Sequence, residues 1–287
     1  MPASDPFGGL YGADRDAAVA VYSVLKLYGL ESLASRINEY IDEGYSEDTM
    51  LMLLQETDEW RTRFAGNVLL QRNGYNVLSP AEYISTENAF REMLTAYGFP
   101  PGFYDQPADF ATAIGNHLSP AGMQRRLQSW QAVFDEQHTQ GAEYFQQAYG
   151  TTRAGSFAYF IDPTRALPLI EKQTQAALVG GAALAAGFGN IVVGTAERLA
   201  ERGISEQEAL QGFGAAAQLR GLTTQLPGQA GQLVSDEDLV EAEFEGNVDA
   251  VKKIRSAAGA RTADFGEGGG GFASTKEGVT GLRTAGR

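Results

Sequence analysis

The side chains best suited to chemistry in this chain are two histidines, His117 and His138, in a sequence that contains no cysteine. The two are too far apart for the paired histidines of a zinc-binding helix, and no His-Glu-x-x-His stretch occurs. The absence of cysteine excludes thiolate ligands, a thiol nucleophile and a disulfide framework. His117 comes just before Ser119, which predicts a loop or surface position. We therefore predict no metal site.

Carboxylates are abundant, and several are adjacent, as at Glu47-Asp48, Asp58-Glu59 and Asp236-Glu237-Asp238. Those that follow Ser46 and Ser235 fall in a predicted first helical turn, where the helix dipole favours negative charge. A wall-degrading enzyme would use two catalytic carboxylates, but no aromatic-lined repeat or motif supports that interpretation. We predict that the protein is not an enzyme and has no catalytic residues.

Two glycine-rich stretches resemble phosphate-binding loops only superficially. Gly266 to Gly271 is not followed by Gly-Lys-Ser/Thr and lacks a predicted strand before it and a helix after it. Gly187-Phe188-Gly189 lacks the rest of the dinucleotide fingerprint. Trp60 and Trp130 lie in amphipathic stretches without a basic groove, which favours core or interface anchors over base-stacking residues. We predict neither a cofactor nor a small-molecule substrate.

Charge divides the sequence into an acidic body and a basic end. The formal charge is −14, from 22 bases and 36 acids. Residues 246–287 hold seven bases and four acids, a net +3, which leaves 15 bases and 32 acids, a net −17, for the remainder. The acidic body repels phosphate, whereas the basic end suits either DNA or an acidic neighbour. The N-terminus lacks the features of a secretion signal, so we expect synthesis and folding in the cytoplasm.

One local pattern, an apolar residue followed by serine and then a helical period, recurs five times. The serine hydroxyl accepts a hydrogen bond from the first helical turn, and the apolar residue can pack one turn further on. Ser79 and Ser205 are also followed three residues later by glutamate, which completes a capping box. The five predicted helix starts are at Ser46, Ser79, Ser119, Ser205 and Ser235.

Glycines mark the predicted helix ends, because glycine enters the left-handed region without a steric penalty. They are Gly29, Gly44, Gly98, Gly150 and Gly203. The one short aromatic and β-branched run, Phe157 to Ile161, is interpreted as leading into a helix over 165–186. Together these signals predict an all-α fold of roughly nine to eleven helices. The expected organisation is an N-terminal arm (1–14), helical domains (15–150 and 151–259) and a flexible Gly-rich C-terminal arm (260–287).

Residues 173–196 form an uncharged run of 24 residues, long enough to cross a bilayer. Nearly half of the run is glycine or alanine, and Gly187 to Asn190 predicts a break, so each half would be too short to span. Small residues let helices approach closely. A buried helix pair is therefore favoured over membrane insertion.

The C-terminal arm carries isolated apolar and basic residues in a glycine-rich setting and cannot build a core of its own. It would gain order by lying on a neighbouring subunit. The predicted interaction residues are Phe265, Phe272, Lys276, Val279, Leu282, Arg283 and Arg287.

Five stretches of the chain resemble virion structural proteins of tailed bacteriophages, particularly those of actinobacteria. They are an ET-x-E-aromatic-x-x-RF stretch (56–64), SPAEY (79–83), YG-x-P-x-GF (97–103), YFIDPTRALPLIEKQ (159–173) and GGGFAST (269–275). The resemblance implies a non-enzymatic particle component of the minor tail or structural type, without assigned sites. It implies a virion location, with copies of itself and other virion proteins as partners and packaged DNA as a transient one.

Two alternatives remain open at this stage. One is an ejected internal virion protein that contacts the host envelope through residues 173–196, and the other is a scaffolding or regulatory protein absent from the mature particle.

Overall fold

The structure is a computed structural model that describes residues 6–189, 193–223 and 234–267. These residues form helices and connectors with no β-strand among them, which confirms the predicted all-α fold. The chain folds as two compact units. Unit 1 is 1–125 with 162–164, and unit 2 is 126–161 with 165–287. The predicted domain boundary near residues 149–155 lies inside unit 2.

Unit 1 contains seven complete helices, a 3₁₀ turn at Glu31–Leu33 and the start of α8. The helices are α1 (Gly12–Leu27), α2 (Ala34–Asp42), α3 (Glu47–Gln55), α4 (Asp58–Arg63), α5 (Ala65–Arg72), α6 (Pro80–Ala96) and α7 (Pro107–Gly115), and α8 is Pro120–Phe134.

Unit 2 contains the rest of α8, seven further helices and a π-helical turn at Glu241–Glu245. The helices are α9 (Thr139–Tyr149), α10 (Arg153–Ile161), α11 (Leu167–Ala185), α12 (Val193–Glu201), α13 (Glu206–Thr223), α14 (Asp236–Val240) and α15 (Val248–Glu267). The described residues thus form fifteen α-helices, more than the nine to eleven expected. Some are short and nearly continuous: α4 and α5 are separated only by Phe64, which leaves the helical conformation.

All five predicted serine caps are confirmed, each by a hydrogen bond from the amide three residues later to the serine hydroxyl. Capping boxes form at Ser79 and Ser205 as predicted, and Asp238 forms a further one with Ser235. The five predicted glycine ends are also confirmed, since all five have positive φ. The run 157–161 is helical and belongs to α10.

The predicted N-terminal arm is described only from Pro6. Phe7 is buried, and its ring meets Tyr22 of α1 edge-on at a centroid distance of 5.3 Å. Asn38 Nδ2 donates to the Pro6 carbonyl, and α1 begins at Gly12. Phe7 therefore packs within unit 1, and residues 12–14 belong to α1 rather than to an arm.

An ion pair lies inside the aromatic core of unit 1. Arg63 donates to both carboxylate oxygens of Glu87, at 2.9 and 2.7 Å, and its Nε donates to the Tyr28 carbonyl. The guanidinium lies 5.3 Å from the ring centre of Phe64, and Glu87 is 3% exposed. Charged groups are tolerated in a core only when they are paired and hydrogen-bonded in this way.

Helix α11 is the central helix of unit 2 and packs against α9, α12 and α13. Residues 176–183 are all buried. A Cβ atom on Gly181 would lie 2.5 Å from the Gly141 amide nitrogen of α9, so the two backbones touch. The uncharged run identified in the sequence therefore begins as a buried helix, and the predicted break is confirmed because α11 ends at Ala185 and Gly187 has a φ of +83°.

Candidate functional site

The predicted interaction arm lies almost entirely outside the described residues. Phe265 lies on α15, whose backbone is described to Glu267. The other six predicted residues lie outside the described residues: Phe272, Lys276, Val279, Leu282, Arg283 and Arg287. Their role stays a prediction, and any site within the described residues must be built from other side chains.

His138, which precedes α9, is held between two carboxylates. Its Nδ1 lies 2.6 Å from Asp135 Oδ1, and its Nε2 lies 3.1 Å from Glu206 Oε2 at the start of α13. Burial lowers the pKa of His138, but the hydrogen bond to Asp135 and the charge of Glu206 outweigh burial and raise it above its usual value. Because both ring nitrogens face carboxylates, the imidazole links α9 to α13 and leaves neither nitrogen to activate a nucleophile.

A second polar cluster lies among α9, α11 and α12. The Tyr149 hydroxyl donates to Glu197 Oε1 at 3.1 Å, and the Lys172 ammonium lies 3.1 Å from Glu197 Oε2 and 2.8 Å from Glu201 Oε1. Burial, followed by the charge of Glu197, raises the pKa of Tyr149. The phenol therefore stays protonated and serves as a donor. The cluster connects three helices through charge-assisted hydrogen bonds.

Tyr144 lies beside this cluster. Burial, followed by the charge of Glu197, raises the pKa of Tyr144 to about 12. Its buried hydroxyl makes no hydrogen bond among the described residues. The ring occupies the space above Gly180, where a Cβ would lie 2.4 Å from a ring carbon. Tyr144 thus fills the α9–α11 contact.

The two tryptophans and His117, which the sequence also offered as candidates, each contact other side chains within the fold. Trp60 is buried, with its ring 4.9 Å from Phe64, and Trp130 donates from Nε1 to Ser156 at 3.3 Å. His117 lies in the connector between α7 and α8, as predicted, and stacks on Tyr75 at 4.4 Å. Across the part of the chain that the structure describes, no group of three or more histidines and carboxylates could hold a metal ion.

Residues 173–196 are also the part of the chain considered for membrane insertion. Among the described residues, no helix combines the length and apolar character needed to cross a membrane. The first part of this run lies on helix α11, where most of its side chains are buried in unit 2.

The most distinctive exposed region is a segment of unit 1 that we call the 39–59 surface, defined as the exposed side chains from Glu39 to Glu59. This segment contains eight carboxylates and no lysine or arginine. All eight are exposed: Glu39, Asp42, Glu43, Glu47, Asp48, Glu56, Asp58 and Glu59. Within the described residues, only Glu39 and Asp58 pair with a base, at 3.6 Å from Arg36 and 3.9 Å from Arg61.

Apolar side chains are exposed among these carboxylates. On α3, Met50 and Leu54 are buried, whereas Asp48, Met52 and Glu56 follow one another at intervals of one helical turn on the opposite side. Met52 is 60% exposed, and Tyr45, in the connector before α3, is 43% exposed. The outer face of α3 thus combines negative charge with a large apolar side chain.

The charges and helix boundaries of this surface were readable from the sequence, but its significance was not. The helix dipole accounts for the carboxylates in first helical turns, which are Glu47 and Asp48 of α3 and Asp58 and Glu59 of α4. Asp42 and Glu43 lie at the C-terminal end of α2, and Glu56 lies at that of α3, where the dipole disfavours a carboxylate. The signal that was overlooked is the absence of any base over 39–59.

Comparison of the chain with protein-family models, with curated proteins and with solved structures finds no match in any of the three.

Proposed function

We propose that this chain is a non-enzymatic structural component of a tailed-phage virion. It acts in the neck, the tail or the internal DNA-delivery apparatus and assembles in multiple copies through its terminal segments. The observation that carries the proposal is the set of five motif-like stretches between residues 56 and 275 that resemble virion structural proteins. The expected partners are copies of the chain and other virion proteins, with transient contact to packaged DNA.

The surroundings of the reactive side chains support a structural role. His138, Tyr149 and Glu197 each bond to a group on another helix, so their polar atoms hold helices together. Buried titratable groups that serve catalysis face a cleft where a substrate can reach them. Here each of these groups has a hydrogen-bond partner on another helix, which supports the structural role.

The distribution of exposed apolar side chains supports assembly through unit 1. Among the described residues, twelve large apolar side chains are exposed, and nine of them belong to unit 1. They include Tyr11 at 78%, Leu27 at 77% and Met52 at 60% exposed. Where exposed apolar side chains lie together they favour protein contacts, and a virion component has neighbours to provide them.

Quantitative mass spectrometry of purified particles tests the proposal. The chain is counted relative to the major capsid protein, with a lysate of infected cells as the reference for total synthesis. Roughly a dozen copies per particle, as a closed ring would contain, is the expected result. Hundreds of copies would indicate capsid decoration instead.

Absence from particles, with abundance in the lysate, would overturn the proposal and favour the scaffolding or regulatory alternative. The ejected-protein alternative is a variant of the proposal and is tested by liposome flotation of the purified chain. That alternative requires residues 173–185 to leave their buried position in unit 2, so binding at no lipid composition is the expected result.

A further inference from the structure

The 39–59 surface has the chemistry of a docking site for a basic, partly apolar segment. Six of its eight carboxylates lack a basic partner within the described residues, and Met52 and Tyr45 are exposed among them. Each unpaired carboxylate repels the others, so the isolated surface carries an electrostatic penalty. A cationic partner with apolar side chains would relieve that penalty and cover Met52.

The chain itself supplies a segment of this chemistry. Residues 268–287 contain three bases, Lys276, Arg283 and Arg287, against one acid, Glu277, a net +2. The same segment carries Phe272, Val279 and Leu282 as its large apolar residues. The segment is thus positively charged where the 39–59 surface is negatively charged, and both carry apolar side chains.

We propose that the C-terminal segment 268–287 of one copy docks on the 39–59 surface of a second copy. The inference rests on the proposed function, in which copies assemble through their terminal segments, and it names the surface that receives the segment. A donor segment and an acceptor surface on the same chain form a heterologous contact, so every copy donates once and accepts once. Repetition of that contact closes a ring or extends a filament.

Chain length permits the contact. Helix α15 is described to Glu267, and 287 − 267 leaves 20 residues beyond it. A stretch of this length reaches at most about 70 Å when fully extended. That reach is several helix diameters, so a segment anchored on one copy can arrive at α3 of another.

The absence of cysteine provides a direct test by disulfide cross-linking. One full-length chain carries Met52→Cys and a second carries Val279→Cys, each as its only cysteine. The two purified chains are mixed under mild oxidation and resolved on a non-reducing gel. We expect a cross-linked heterodimer that disappears on reduction, because position 52 and the apolar residues of the segment come together in the contact.

A matched control uses Leu210→Cys in place of Met52→Cys. Leu210 is also an exposed apolar residue on a helix, at 48%, but it lies on α13 of unit 2. Cross-linking of position 279 to position 210 as efficiently as to position 52 would overturn the proposal. A third chain that carries both Met52→Cys and Val279→Cys tests docking within one copy. A disulfide inside that chain, with no heterodimer from the mixed single variants, would overturn the proposal as well, because the segment would then dock on its own copy.

A charge variant separates docking from folding. The triple change Asp42→Asn, Glu43→Gln and Glu56→Gln removes carboxylates at the C-terminal ends of α2 and α3, where the helix dipole disfavours them, so the fold is kept. We expect self-association, measured by analytical ultracentrifugation at low salt, to weaken about tenfold. The control triple Glu92→Gln, Glu136→Gln and Glu143→Gln removes three exposed carboxylates elsewhere and leaves association unchanged.

If the two triple variants weaken self-association equally, the effect is one of overall charge, and the proposed docking on the 39–59 surface is overturned. Failure of this proposal is distinguishable from failure of the proposed function. Particles that incorporate the Asp42→Asn, Glu43→Gln, Glu56→Gln chain at the wild-type copy number would leave the virion role intact while removing this contact. If the chain cross-links specifically but is absent from particles, the contact stands and the virion role is overturned.

Discussion

The two units carry their charge in different ways. Unit 1 has 8 bases and 18 acids, a net −10, and unit 2 has 14 bases and 18 acids, a net −4. In unit 2 the charges join helices that are distant in sequence, as in Lys172 with Glu197, Arg198 with Glu245 and Lys253 with Asp238. In unit 1 most of the net charge lies on the 39–59 surface, where six of the eight carboxylates lack a basic partner within the described residues.

The difference indicates which surface depends on a partner. Within the described residues of unit 2, several carboxylates pair with bases on other helices. Unit 1 instead combines unpaired carboxylates with most of the exposed apolar side chains, and the buried pair of Arg63 with Glu87 lies in its core. Four predictions test this contrast.

The largest effect is expected at the buried pair of unit 1. Glu87→Ala leaves the Arg63 guanidinium, which is 19% exposed, without its carboxylate, and should lower the free energy of unfolding by about 3–5 kcal/mol in urea titrations. The control Glu39→Ala removes an exposed pair and should change it by less than about 0.5 kcal/mol. Arg63→Met combined with Glu87→Leu should recover much of the loss. Equal effects of Glu87→Ala and Glu39→Ala would contradict a structural role for the buried pair.

In unit 2 the most sensitive position is the contact between α9 and α11, where the two backbones meet at Gly141 and Gly181. A Cβ on Gly181 would lie 2.5 Å from the Gly141 nitrogen and 2.6 Å from its Cα, both backbone atoms, so the helices must separate. Gly181→Ala should therefore destabilise the protein by about 3 kcal/mol. Gly214→Ala is the control, since Gly214 is helical with open space around it and should gain about 0.5–1 kcal/mol. A neutral Gly181→Ala would show that α9 and α11 can move apart freely.

Local chemistry explains how far the sequence could predict this structure. The serine caps and glycine ends depend on residues within one helical turn, and all ten that were predicted are confirmed. The bonds that assemble the helices connect distant residues: Arg63 and Glu87 are 24 apart, and His138 and Glu206 are 68 apart. No local periodicity encodes such pairs. For the same reason Phe7, whose ring partner Tyr22 comes later in the chain, was assigned to an arm.

The tie between α9 and α13 should give unit 2 a pH dependence. The pKa of His138 is raised in the folded state, so its stabilisation is complete below the unfolded pKa of about 6.5 and is lost as pH rises through the folded value. His138→Gln should remove a loss of about 1 kcal/mol seen in the wild type as pH rises. Urea titrations at several pH values between about 6 and 9 measure it. A wild-type loss that persists undiminished in His138→Gln would count against the tie.

The smallest expected effects are changes in stability when carboxylates are neutralised. They are the most informative about the contrast between the units, because neutralisation should destabilise unit 2 and stabilise unit 1. In unit 2, Glu197→Gln weakens the bonds to Lys172 and Tyr149 and should destabilise the chain. In unit 1, Asp42→Asn with Glu43→Gln relieves repulsion and an unfavourable helix dipole, and should stabilise it by about 0.3–1 kcal/mol at low salt, less at high salt. Thermal unfolding of the two variants at matched ionic strength compares the signs. A gain in unit 1 would mean that its carboxylates oppose folding of the isolated chain, so that a cationic partner is needed to offset them. A loss there would instead make the 39–59 surface an ordinary solvated face.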